Sequence, residues 1–117
     1  MRENKFRAWD KENNKMIGPF EVGSELSMLW KPEMQYTGLK DKSKKEVYEG
    51  DIIKTEERQT WGDDKIGIYK VKWNNERFRF AVVNKEGHEW SLRKIQDTSN
   101  WIERIGNMHS NPELLKG

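Results

Sequence analysis

Glu49 and Asp51 flank Gly50, and two carboxylates so close could move a proton on and off a substrate. A tight turn uses the same three residues. Glycine takes a positive φ, and the aspartate accepts hydrogen bonds from nearby backbone N–H groups. The turn is the stronger reading, and Asp63-Asp64 reads as a solvated loop. His88 and His109 are the only histidines. Each falls in a polar turn, which favours two solvent-exposed side chains over a metal centre. The chain has no cysteine, no Gly-x-Ser-x-Gly elbow, no Walker loop and no Gly-x-Gly-x-x-Gly run. Thiolate chemistry, disulfides, that serine nucleophile and those phosphate cradles are therefore excluded. No cofactor, metal or catalytic residue is expected.

A second constellation is cationic. Lys70, Lys72, Arg77 and Arg79 sit on the polar positions of one alternating segment, with Trp73 beside them and a lysine run, Lys40, Lys42, Lys44 and Lys45, elsewhere. A basic sheet face with an aromatic platform can hold a nucleic-acid strand or a protein partner. The plain alternative is that a half-buried hairpin needs a polar face and Lys and Arg fill it. The overall balance, 22 basic against 20 acidic residues, gives no general pull on nucleic acid.

The elements that must position these groups are short strands. In IYKVKWNNERFRFAVV, Tyr69, Val71 and Trp73 alternate with lysines. After an Asn-rich turn, Phe78, Phe80 and Val82 alternate with Arg77, Arg79 and Ala81. That is a β-hairpin. KFRAW (5–9) alternates as a strand, with Phe6 and Ala8 on one side and Arg7 and Trp9 on the other, and Met16-Ile17 can pair back on it. Glu25 to Trp30 is readable as helix or strand. Met34 and Tyr36 lead into a turn at Thr37-Gly38, and residues 39–46 read as an exposed loop or hairpin tip. A strand follows from Ile52 to about Glu56, and the loop to residue 65 has Trp61 as its apolar anchor. Trp90 to Leu92 and Trp101 to Met108 read as further strands. Asn111 before Pro112 places one helical turn at the end. The predicted class is mainly β, a small barrel or two packed antiparallel sheets, with a short C-terminal helical turn. The 117 residues suit one domain, with two strand-rich halves at about 1–45 and 46–117.

Charged residues outnumber hydrophobic ones, 36% to 33%, but six tryptophans supply large apolar surfaces. A core built around Trp, Tyr and Phe is expected, with any exposed tryptophans serving a protein–protein interface. MRENKFRAWDKENNK has no apolar h-region, and no stretch approaches the roughly 18 apolar residues of a membrane span. A soluble, cytoplasmic protein is expected, with no membrane contact.

Three blocks, MRENKFRAWDKENNKMI, MQYTGLKDKSKKEVYEGDIIK and IGNMHSNPELL, occur in this order along nearly the whole chain. Together they resemble the YopX family of phage and prophage proteins. The family's Lys-Phe-Arg-Ala-Trp-Asp resembles Lys5 to Asp10. Its central block resembles Gln35 to Asp41 and Glu49 to Ile53. Its last block resembles Ile105 to Asn107 and Asn111 to Leu115. The loop after Lys40-Asp41 departs from the family pattern, with Lys42-Ser43-Lys44-Lys45 where a glycine is usual. Met108-His109 departs too, replacing an aliphatic–aromatic pair. The resemblance implies a phage origin, action in the host cytoplasm and a mainly β fold, and carries no activity. Its matching residues, Gln35, Tyr36, Thr37, Gly38, Asp41, Glu49, Gly50 and Asp51, suit a structural junction. The expected role is a non-enzymatic accessory protein that binds another protein or itself, through aromatic surface or an open sheet edge. The alternative is a nucleic-acid-binding small β-barrel using the cationic hairpin face.

Overall fold

The computed structural model describes residues 4–115. The chain is mainly β, arranged as two antiparallel sheets. The first contains β1 (Lys5–Asp10), β2 (Lys15–Glu21), β3 (Met34–Lys40) and β4 (Glu46–Tyr48), in the order β2-β1-β3-β4. The second contains β5 (Asp51–Glu57), β6 (Lys65–Asn74), β7 (Arg79–Val83), β8 (Glu89–Ser91) and β9 (Ser99–Asn107), in the order β8-β7-β6-β5-β9. A five-residue helix α1 (Glu25–Leu29) follows β2 and buries none of its side chains. A 3-10 turn at Pro112–Leu115 ends the described chain, as expected.

The hairpin read from the alternation is β6–β7, with Trp73 opposite Phe80 and Asn74 opposite Arg79. Its turn is longer than the sequence pattern implies. Residues 75–78 form it, so Phe78 leaves the strand and takes φ +49°.

A second helix, α2 (Leu92–Thr98), stands where the sequence suggested only the end of a strand. Its signals are short but present. The Ser91 hydroxyl accepts the Lys94 N–H at 3.0 Å, which caps the first turn, and Leu92 and Ile95 fall three apart on the buried face. α2 touches β7, β8, β5 and β9, so the second sheet curls around it.

The core lies under that curl. Ile53, Tyr69, Val71, Phe80, Val82 and Ile102 meet Leu92 and Ile95 there, and the first sheet sends in Val47. Tyr and Phe enter the core as expected, with Tyr36, Tyr48, Tyr69, Phe20 and Phe80 buried, but the tryptophan part of that expectation is corrected. Five of the six tryptophans are half-buried at the rim, and Trp61, the expected anchor of its loop, is 89% exposed. β-branched side chains share the small interior with Tyr69 and Phe80, while the bulk of tryptophan keeps it at the margin.

Candidate functional site

Two regions gather the residues singled out from the sequence. The first is the junction between the sheets. Asp51 opens β5, fully buried, and its carboxylate is committed on both oxygens. One accepts the Arg7 guanidinium at 2.7 Å, and the other accepts the Tyr48 N–H at 2.8 Å. Arg7 comes from β1, 44 residues earlier, and lies with its Cζ 4.3 Å from the centre of the Tyr48 ring. The alternation places it only on one side of a strand, yet it is buried and paired with Asp51. Burial pushes the Asp51 carboxyl up from its ordinary range, and Arg7 and the Tyr48 N–H pull it back.

Glu49 faces a different partner. Its carboxylate accepts the Gln35 N–H at 3.1 Å, and its own N–H donates to the Gln35 carbonyl. Burial raises its pKa too. Glu49 and Asp51 therefore do not share a proton; each closes a separate piece of backbone. Gly50 between them has φ +84°. Its N–H donates to Val71 of β6 and its carbonyl accepts from Met108. A side chain there would press on the sulfurs of Met34 and Met108, at 3.1 and 3.3 Å. Thr37 bonds the Val47 carbonyl at 2.7 Å beside a register shift between Tyr36 and Lys40, where Gly38 takes φ +87°. The Tyr36 ring packs against Tyr48.

The lysine run is not a free loop. β3 continues through Lys40, and residues 41–45 form a hairpin tip laid over the outer edge of β9. Asp41 is buried. It accepts N–H groups from Ser43 and Lys45 within the tip and from Arg104 of β9, all at 2.9 Å. Burial alone would raise its pKa, but the N–H groups of Arg104, Lys45 and Ser43 outweigh burial and hold it below the usual aspartate value. Lys42 donates its N–H to the Ile102 carbonyl at 2.8 Å. Its ammonium pairs with Glu103 at 2.8 Å and lies over the Trp101 ring. Lys44 in the tip takes φ +67°.

The second region surrounds the β6–β7 turn. A groove of about 930 Å³ runs between the turn, the Thr37–Leu39 bulge and α2. Trp73, edge-on to Phe80 at 5.0 Å, forms its wall, and Phe78 stands at its mouth, 80% exposed. Arg79 and Arg93 line it. Neither they nor Arg77 in the turn has an ion-pair partner among the described residues. Strand alternation separates the predicted cationic patch. Lys70, Lys72 and Arg79 share the face away from Trp73, where Lys72 pairs with Glu89 at 3.0 Å and Arg79 adds to the positive field on Glu89; of the three, only Arg79, at the start of β7, also borders the groove. The groove thus keeps Trp73 and Arg79 and gains Phe78 and Arg93.

The histidines sit against aromatic rings. His109 stacks on Trp9, with centroids 5.0 Å apart, and His88 packs edge-on to Trp90. Among the described residues no group of three or more His, Cys, Asp or Glu could hold a metal, and no helix is long and apolar enough to cross a membrane.

Comparison with known proteins agrees with the architecture. The family described as YopX protein matches residues 20–116, and the chain belongs to that family. The match begins after the first of the three sequence blocks. No curated protein matches the chain. The crystal structure of protein EF1440 from Enterococcus faecalis is similar at a TM-score of 0.61 and 24% identity, covering 99% of this chain and 100% of that one. That likeness speaks to the fold.

Proposed function

We propose that this member of the YopX family is a non-enzymatic phage or prophage accessory protein that binds another protein through the groove beside the β6–β7 turn. One observation carries the reading. Phe78 holds a left-handed backbone conformation, φ +49°, that a bulky side chain adopts at a cost, and it is 80% exposed. The turn is held by the Glu76 and Arg77 N–H groups, which donate to the Asn74 side chain whatever residue stands at 78, and the Phe78 side chain gains little burial among the described residues in return. An aromatic side chain held out at the mouth of a groove, with unpaired arginines around it, has the composition of a protein-interface anchor. Strand addition is the weaker mechanism. The hairpin tip covers the edge of β9, β4 and β8 have three residues each, and β2 carries Pro19.

A photo-crosslinking amino acid at position 78, with one at exposed Glu12 as control, tests the reading in host cells. Protein adducts from position 78 and not from position 12 are expected. Adducts from neither position, or equally from both, would overturn it. Light scattering over a concentration series then shows whether the partner is a second copy of the chain.

The second reading is nucleic acid, favoured by Arg77, Arg79 and Arg93 beside Trp73 and Phe78, since arginine and stacked aromatics hold single strands. It requires oligonucleotide binding that weakens steeply with salt. Binding that persists after Trp73→Ala and Arg79→Ser would remove the groove from it.

A further inference from the structure

A different cavity, at the junction, has polar groups that the fold leaves unused. It is about 510 Å³ in volume and opens between β2, β4 and β9. Arg7, Lys45 and Arg104 bring three positive charges to its lining, and Glu46 and Asp51 bring two negative ones. Both carboxylates are already engaged. Asp51 holds Arg7 and the Tyr48 N–H; Glu46 holds the Lys5 ammonium at 2.7 Å and the Tyr48 hydroxyl at 3.0 Å. Two of the cations have no carboxylate in ion-pair contact among the described residues. Arg104 donates one side-chain hydrogen bond, to the Glu46 carbonyl, and neither Arg104 nor Lys45 forms an ion pair among the described residues.

Arg7 adds an independent sign. It is more than nine-tenths buried, and its Nε–H has no acceptor among the described residues. A buried guanidinium N–H without an acceptor is costly, and natural structures seldom leave one empty-handed. Arg7 lines the cavity, and a turn of its guanidinium brings the Nε–H, closed to solvent as it stands, to an acceptor held there. Asp51 cannot serve, because its two oxygens are turned to Arg7 Nη2 and to the backbone of Tyr48. Met16, Pro19 and Ile105 add an apolar part to the lining.

We infer that this cavity binds a small ligand with an oxyanion head, carboxylate or phosphate, and an apolar body. The head lies among Arg7, Lys45 and Arg104, and the body lies against Met16 and Pro19. Guanidinium groups suit such a head because they donate in a fixed, planar pattern. No bond is made or broken in this reading. It concerns binding alone and does not depend on the groove at the β6–β7 turn.

The side-chain Nε–H resonance of Arg7 reports on the site directly. Titration with sodium succinate and, separately, with sodium phosphate at constant ionic strength is expected to shift that resonance saturably with at least one of the two. The anion that saturates at lower concentration identifies the head group. Lys45→Ala and Arg104→Gln leave Asp51 paired with Arg7, so both should fold, and each is expected to weaken binding about tenfold, the scale of one lost charge-assisted hydrogen bond. A shift that sodium chloride reproduces, that never saturates, or that survives in both variants would overturn the inference. Trp73→Ala, in the other groove, should leave the titration unchanged.

Discussion

Two hairpin tips in this protein begin from the same local problem and end differently. The tip at residues 41–45 and the turn at residues 75–78 each place a non-glycine residue at positive φ, Lys44 at +67° and Phe78 at +49°. The first tip is docked. Asp41 is buried beneath it, ties Ser43, Lys45 and Arg104 together, and seals the edge of β9. The second is docked on nothing within the described chain, and its largest side chain faces outward beside unpaired arginines. Backbone strain at the first tip is offset by tertiary hydrogen bonds. At the second the hydrogen bonds are local, from the Glu76 and Arg77 N–H groups to Asn74, and Phe78 gains little burial; that difference separates a structural turn from a candidate contact surface.

Breaking the docked side should cost most. Asp51→Ala, at the strand into which this tip's hairpin leads, strands the Arg7 guanidinium in a buried position. Removing one partner of a buried ion pair typically costs about 3–5 kcal/mol, and denaturant unfolding should show a loss of that size with the fold retained in mild conditions. A loss under about 1 kcal/mol would show that the pair is not buried as described. Asp41→Ala removes one acceptor from three backbone N–H groups and should cost about 3 kcal/mol. The equivalent truncation at the other tip, Arg77→Ala, should leave the unfolding midpoint within about 0.5 kcal/mol of wild type.

Acidity sharpens the same contrast. Asp41 titrates below its ordinary value of 3.8 in the fold. Its contribution is therefore fully present above that value and is lost as pH falls through the lower, folded one. The stability gap between wild type and Asp41→Asn should be constant near neutrality and close below about pH 4. A gap that closes already at pH 6 would assign it to another group.

The smallest expected effects are gains. Phe78→Gly removes a left-handed phenylalanine that contributes almost no burial, so stability should rise by about 1 kcal/mol, while crosslinking or partner capture through the groove is lost. Lys44→Gly should gain about 1 kcal/mol or less, because glycine's greater freedom in the unfolded chain offsets part of the relief. If Phe78→Gly lowered stability instead, Phe78 would be packing inside the fold and the comparison would collapse.

Much of the scaffold was legible because it is written locally. Period-two alternation located β1, β6 and β7. Gly50 marked its turn, and Asn111-Pro112 announced the last helical turn. α2 was harder. Its two buried residues fall within one turn, too few to show a helical period, although Ser91 as a cap could have pointed to it. The candidate site was legible only in part. Trp73 and Arg79 were found by composition, but the split of the lysines from Trp73 depended on strand parity. Phe78 and Arg93 joined the groove only because the turn lengthened and an unforeseen helix stood opposite.

By itself, the sequence determined a mainly β chain with short strands, glycine-dependent turns and no thiol chemistry. Those properties follow from residue type and near-neighbour spacing. Tertiary structure decided which charges are spent. Arg7 meets Asp51 across 44 residues, Lys42 and Asp41 cover β9, and Arg104 and Lys45 have no ion pair among the described residues. No local pattern distinguishes a buried arginine from a solvated one. The distinction arises when distant strands are brought together and water is removed, so that every charge is paired, satisfied by backbone, or left for a ligand.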